Sequence, residues 1–202
     1  MTRKILITTM VLLSIVAYQT CADSPITSTD FYRAYLDYPI VQKAEQEGVI
    51  DIEIAEYLYS RSIPIDLKVA VMNALSWGPE EKRNADFFTY YLALRYRTPT
   101  DHLHPRWLLP TELFCLGYLT ILDNYFEPSH GRVLMELAID QMAPSFAASL
   151  VYGLALAQEL SIDGDYASSW NVIEKVLTDQ ALPQDFRPEA IEIVVEYMRL
   201  YE

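Results

Sequence analysis

Residues 109–126 read LPTELFCLGYLTILDNYF, and this stretch decides the fold. At helical spacing Leu113, Leu116 and Leu119 share the turn with Phe114, Ile121, Leu122 and Tyr125, so apolar side chains point nearly all the way round. A helix with no wide polar face is buried on several sides. Its two charges, Glu112 and Asp123, lie near its ends. The stretch predicts a central helix with the other helices packed around it.

The pattern continues upstream. Helical spacing runs over residues 80–97, rich in Phe87, Phe88, Tyr90, Tyr91 and Tyr96, and over 67–77 and 50–60. Gly78-Pro79 separates two of these segments, with glycine after one helix and proline before the next. Thr29 or Asp30 is placed to cap a first helix, which Pro39 kinks or ends. Downstream, helices are expected over 131–142, 146–160, 166–178 and 186–201, the last with Ile191, Val194, Val195 and Met198 on one side and Glu189, Glu192 and Glu196 on the other. Sustained period-two alternation is missing. The chain reads as all-α, with about nine helices.

One short pattern recurs: an apolar residue, a proline, a polar residue and then a helix. It appears at Ile63-Pro64-Ile65-Asp66, Leu109-Pro110-Thr111-Glu112, Ala143-Pro144-Ser145-Phe146 and Leu182-Pro183-Gln184-Asp185, with proline spacings of 46, 34 and 39. Each proline ends one helix, and Asp66 or Asp185 is expected to cap the next. The implied units are hairpins pairing 50–60 with 64–77, 80–97 with 110–126, 129–142 with 144–160, and 165–178 with 186–201. Spacings of roughly 34 to 47 suit helical-hairpin repeats. The architecture resembles a short α-solenoid of the tetratricopeptide or HEAT type, which implies stacked antiparallel hairpins. The tetratricopeptide residues are not in register, and an irregular helical bundle is the alternative.

Residues 1–22 have the three-part order of a signal peptide: basic Arg3 and Lys4, an apolar run from Ile5 to Ala17, and small residues around Cys21 and Ala22. A single all-α domain over 23–202 then follows, in the periplasm or outside the cell. The apolar run is shorter than the roughly 20 residues a membrane-spanning helix needs. A lipid anchor on Cys21 is the alternative fate of this segment, although Tyr18-Gln19-Thr20 matches a lipidation site poorly. With Cys21 removed, Cys115 stands alone, so no disulfide framework holds the mature chain.

The net charge is −13 and becomes −15 once Arg3 and Lys4 leave with the signal. Such acidity argues against nucleic acid and anionic membranes, and favours basic partners. Against this background the segment from Arg95 to Trp107 stands out. Arg95, Arg97 and Arg106 are suited to gripping a carboxylate or phosphate, with Trp107 or Tyr96 stacking beside them, and His102 and His104 add polar contacts. His102 and His104 with Asp101 fall short of a metal motif, and no cofactor signature occurs. Cys115 sits among apolar residues, where a thiol is inert. No nucleophile elbow or phosphate loop is present. The expected role is non-catalytic binding of another protein. A glycan-active hydrolase or glycan-binding groove is the alternative, and the hydrolase requires two carboxylates facing each other.

Overall fold

The computed structural model describes residues 24–77 and 82–202. The expected signal peptide, with Cys21, lies outside the described residues, as do Gly78 to Glu81. The described residues form nine α-helices and no strand. They are α1 (Pro39–Glu47), α2 (Ile52–Tyr59), α3 (Ile65–Ala74), α4 (Asn84–Tyr96), α5 (Pro110–Asp123), α6 (Ser129–Ile139), α7 (Phe146–Ile162), α8 (Tyr166–Thr178) and α9 (Pro188–Met198). The chain is all-α. None of these helices is long and apolar enough to cross a membrane.

Prolines and short polar residues set the helix starts. Pro39, Pro110 and Pro188 occupy the first turns of α1, α5 and α9, where the missing N–H costs nothing. Asp51 accepts from the Ile54 N–H, Ser145 from Ala148 and Asp165 from Ser168, capping α2, α7 and α8. Asp185 behaves differently from the expected local cap. Its carboxylate accepts the Ala147 N–H of α7, at 3.0 Å, so one helix is capped by the segment leading into another. Asp66 lies inside the first turn of α3 rather than at its cap, which is Pro64.

The hub is α3 more than α5. Every residue from Leu67 to Ala74 is buried, and α3 packs against the 31–35 turn, α1, α2, α5 and α7. Lys68 and Asn73 interrupt its sequence, so it reads as less apolar than α5 although it is more completely covered. Asn73 accepts the Tyr32 N–H and donates to the Tyr118 hydroxyl, which satisfies a polar group at the centre. Helix α5 packs on α2, α3, α4 and α6.

The tightest seams lie between α5 and α6 and between α7 and α8. The expected partners 129–142 and 144–160 are also in contact, through the looser seam between α6 and α7. The reason for the tight α5–α6 seam is Gly117 against Gly131: a Cβ on Gly117 would stand 2.6 Å from the Gly131 carbonyl oxygen. Only a bare backbone permits that approach. The two ends of the described chain also meet. Phe186 contacts the rings of Phe31 and Tyr35, and Arg187 grips Asp37 through two bonds of 2.7 and 3.0 Å. That closure is a feature of the bundle alternative; an open solenoid keeps its ends apart.

Candidate functional site

Two regions gather chemistry, and both flank the start of α5. The first is the basic segment after α4. Its chain leaves the helix at Arg97, whose backbone is left-handed (φ 54°), and runs through two short turns, Thr100–His102 and Pro105–Trp107. Leu103 and Leu108 tie it to the core. Arg95 is exposed and lies over the Tyr59 ring at 4.7 Å and the Tyr91 ring at 6.0 Å. His104 accepts the Arg106 N–H, and its ring lies 6.3 Å from that of Trp107. His102 is 3.9 Å from Asp101, both well exposed. The six residues singled out in the sequence therefore do not form one site: Arg95 lies with its tyrosines, His104 with Trp107 and the Arg106 backbone, His102 beside Asp101, and the Arg97 and Arg106 side chains are exposed. Among the described residues no group of three His, Cys, Asp or Glu is placed to hold a metal.

Helix α4 adds exposed apolar groups to this region. Tyr90 and Leu94, one turn apart, are 57% and 59% exposed, next to the Tyr91–Arg95 stripe, and Trp107 is 50% exposed. Exposed apolar residues in a continuous stripe, with an arginine held over aromatic rings, have the composition of a protein-binding hot spot. The signal was present in the run Phe87 to Tyr96, whose apolar residues occupy more of the helix than one buried face needs.

The second region is a pocket of about 480 Å³ where α3, α5 and α7 begin. All four copies of the proline pattern reach it: Ile63 and Ile65, Leu109 to Thr111, Ala143 to Ser145, and Asp185. What reads as a repeat along the chain is a ring in space. Lys68, three residues into α3 from Ile65, lines it as well, although only 1% of the residue is exposed. Its ammonium makes no hydrogen bond or ion pair with any described residue. Asp185 is the one carboxylate in the lining, so a facing pair of acids does not form there.

Glu112 lies deeper. Its Oε2 accepts from the Tyr96 hydroxyl at 2.6 Å and from the Leu109 N–H at 2.9 Å, while its buried Oε1 has no partner. Burial, and then this carboxylate, push the Tyr96 hydroxyl up to about 12. Burial pushes the Cys115 thiol up to about 11, with Lys68 pulling it down and Glu112 pushing it up. A neutral, enclosed thiol of this kind is a packing group. Asp66, beside the pocket, has its carboxyl raised by burial and by the charge of Asp185, against hydrogen bonds from the Leu67 N–H and the Tyr35 hydroxyl.

Lys68 escaped the sequence reading, and the clue was local. It is a lone cation in the run Leu67-Lys68-Val69-Ala70-Val71-Met72, where helical spacing leaves it no wet face. No protein-family model matches the chain, and neither does any curated protein or solved structure.

Proposed function

We propose that the chain is an exported, non-catalytic binding protein that docks another protein on the face formed by α4 and the 98–108 segment. The observation that carries this reading is the exposed Tyr90–Leu94 stripe beside Arg95, which lies over Tyr59 and Tyr91. Such a patch loses apolar surface to water unless a partner covers it. The face is locally cationic on a chain of net charge −13, so a partner presents its acidic side here and its basic side to the rest of the molecule. Arg95, Arg97 and Arg106 supply the polar contacts, His102 and His104 the rim, and Trp107 with Tyr90 the anchors.

The reading is tested with a photo-crosslinking residue at position 90 in the producing cells. A single discrete adduct in the exported fraction is expected, lost in an Arg95→Glu/Trp107→Ala variant that still folds. An unchanged adduct in that variant, or none in the wild type, rejects the face. Mass spectrometry of the same fraction tests export, with Asp23 as the expected first residue. A chain retained whole in the cytosol rejects it.

A further inference from the structure

We propose that the pocket at the starts of α3, α5 and α7 binds a small organic carboxylate, its headgroup on Lys68 and its apolar body along Ile63, Ile65, Leu109 and Met142. The proposal is independent of the docking face and stands if that face binds nothing.

The first support is Lys68. Removing an ammonium from water is costly unless other groups replace its hydration. Lys68 is 1% exposed and lines the pocket, yet no described residue accepts a bond from its ammonium. Glu112 acts on the same Cys115 thiol but makes no ion pair with Lys68, and its own Oε1 is buried and unbonded. A charged donor that lines an open pocket and has no internal acceptor is completed by an external anion.

The second support is the field. Helices of 10, 14 and 17 residues begin at the pocket, and their first-turn N–H groups carry partial positive charge, partly met by Asp66, by Glu112 and, at α7, by Ser145 and Asp185. The third is selectivity. Asp185 already serves the Ala147 N–H and faces the same space. Lys68 inside and the exposed Arg61 at the rim stand against this one acid, a balance that leaves room for a single added negative charge. Ile63, Ile65, Leu109, Met142 and Pro144 line much of the remainder, and the volume lies within the range of about 300–1,000 Å³ typical of small-ligand sites.

The test is equilibrium dialysis of radiolabelled hexanoate, with hexanamide as its neutral counterpart, against the chain purified from its own cells. Hexanoate is expected to bind saturably at one site, and Lys68→Met to weaken it about tenfold or more, the loss of one charge-assisted bond. Hexanamide is expected to bind weakly to both proteins. Ala143→Trp, on the exposed rim, is expected to block hexanoate while leaving the core intact, so the test holds even if Lys68→Met fails to fold. The proposal is overturned if hexanoate fails to bind at up to about 10 mM, if it binds no better than hexanamide, or if Ala143→Trp binds it as well as the wild type does.

Discussion

The basic segment and the pocket present their cations in opposite ways. Arg95, Arg97 and Arg106 project into water, and Arg95 is further settled over two tyrosine rings. Lys68 is almost wholly covered, lines the pocket and gives no bond to any described residue. Three arginines draw the eye in a sequence, but each can be satisfied where it stands. A single lysine in the buried run from Leu67 to Ala74 has no such place in solvent. The contrast teaches that the partner balance of a cation, rather than the number of cations nearby, marks where a ligand is missing.

Reversing the charge in each region is the strongest way to break the contrast. Lys68→Glu would bury a second acid near Glu112, and a loss of about 3–5 kcal/mol is expected. Arg106→Glu, fully in solvent, should change stability by no more than about 0.5 kcal/mol. Urea denaturation of the two variants reads both values. Comparable losses would mean that the pocket cation is no more dependent on its surroundings than the outer ones.

A finer cut uses Lys68→Met, Glu112→Gln and the double variant. Groups that share a neighbourhood without touching should couple by less than about 1 kcal/mol. A buried contact pair would couple by roughly 3 kcal/mol or more. The large value would assign Lys68 to Glu112 and leave the exposed Arg61 as the other cation of the lining.

The carboxylates sharpen the same difference through pH. Arg187 beside Asp37 holds that surface carboxyl below its ordinary range, whereas burial raises Asp66 next to the pocket. A raised group binds its proton more tightly in the folded chain than in the unfolded one. Its stabilising contribution is complete below the unfolded value of about 3.9 and is lost as pH rises through the folded value. Asp66→Asn should therefore match the wild type in acid and become the more stable protein toward neutral pH. Denaturation midpoints at several pH values check the crossing, and a gap independent of pH would place Asp66 in a solvated setting.

Much of the fold was legible because helical spacing and proline placement are local signals. The start of α5 at Pro110, the limits of α8 and the Asp165 cap all follow from neighbours in the chain. The central role of α3 was obscured by Lys68 and Asn73, whose burial depends on contacts from α5, the 31–35 turn and the helix starts. The close seam at Gly117 and Gly131 was not legible, because it joins residues whose nearness only the packed helices reveal. The four proline segments were visible as a series, but a linear series does not announce that its members enclose one space. The binding segment was found by composition, yet its strongest exposed apolar groups, Tyr90 and Leu94, carried the same spacing as core residues.

The smallest expected effect separates strain from use at Arg97. This residue ends α4 in a left-handed conformation that costs a side chain with a Cβ and suits glycine. Arg97→Gly should raise stability by about 0.5–1 kcal/mol, since relief of the Cβ clash exceeds the added freedom of the unfolded chain. Its effect on the position-90 adduct is the informative half. A more stable protein that captures its partner less well would mean that the strain is kept because the guanidinium is needed on the docking face. A more stable protein with unchanged capture would remove Arg97 from that face and leave recognition to Arg95, Tyr90, Leu94 and Trp107. The outer region would then resemble the pocket in one respect: its recognition would rest on groups fixed by their neighbours rather than on charge alone.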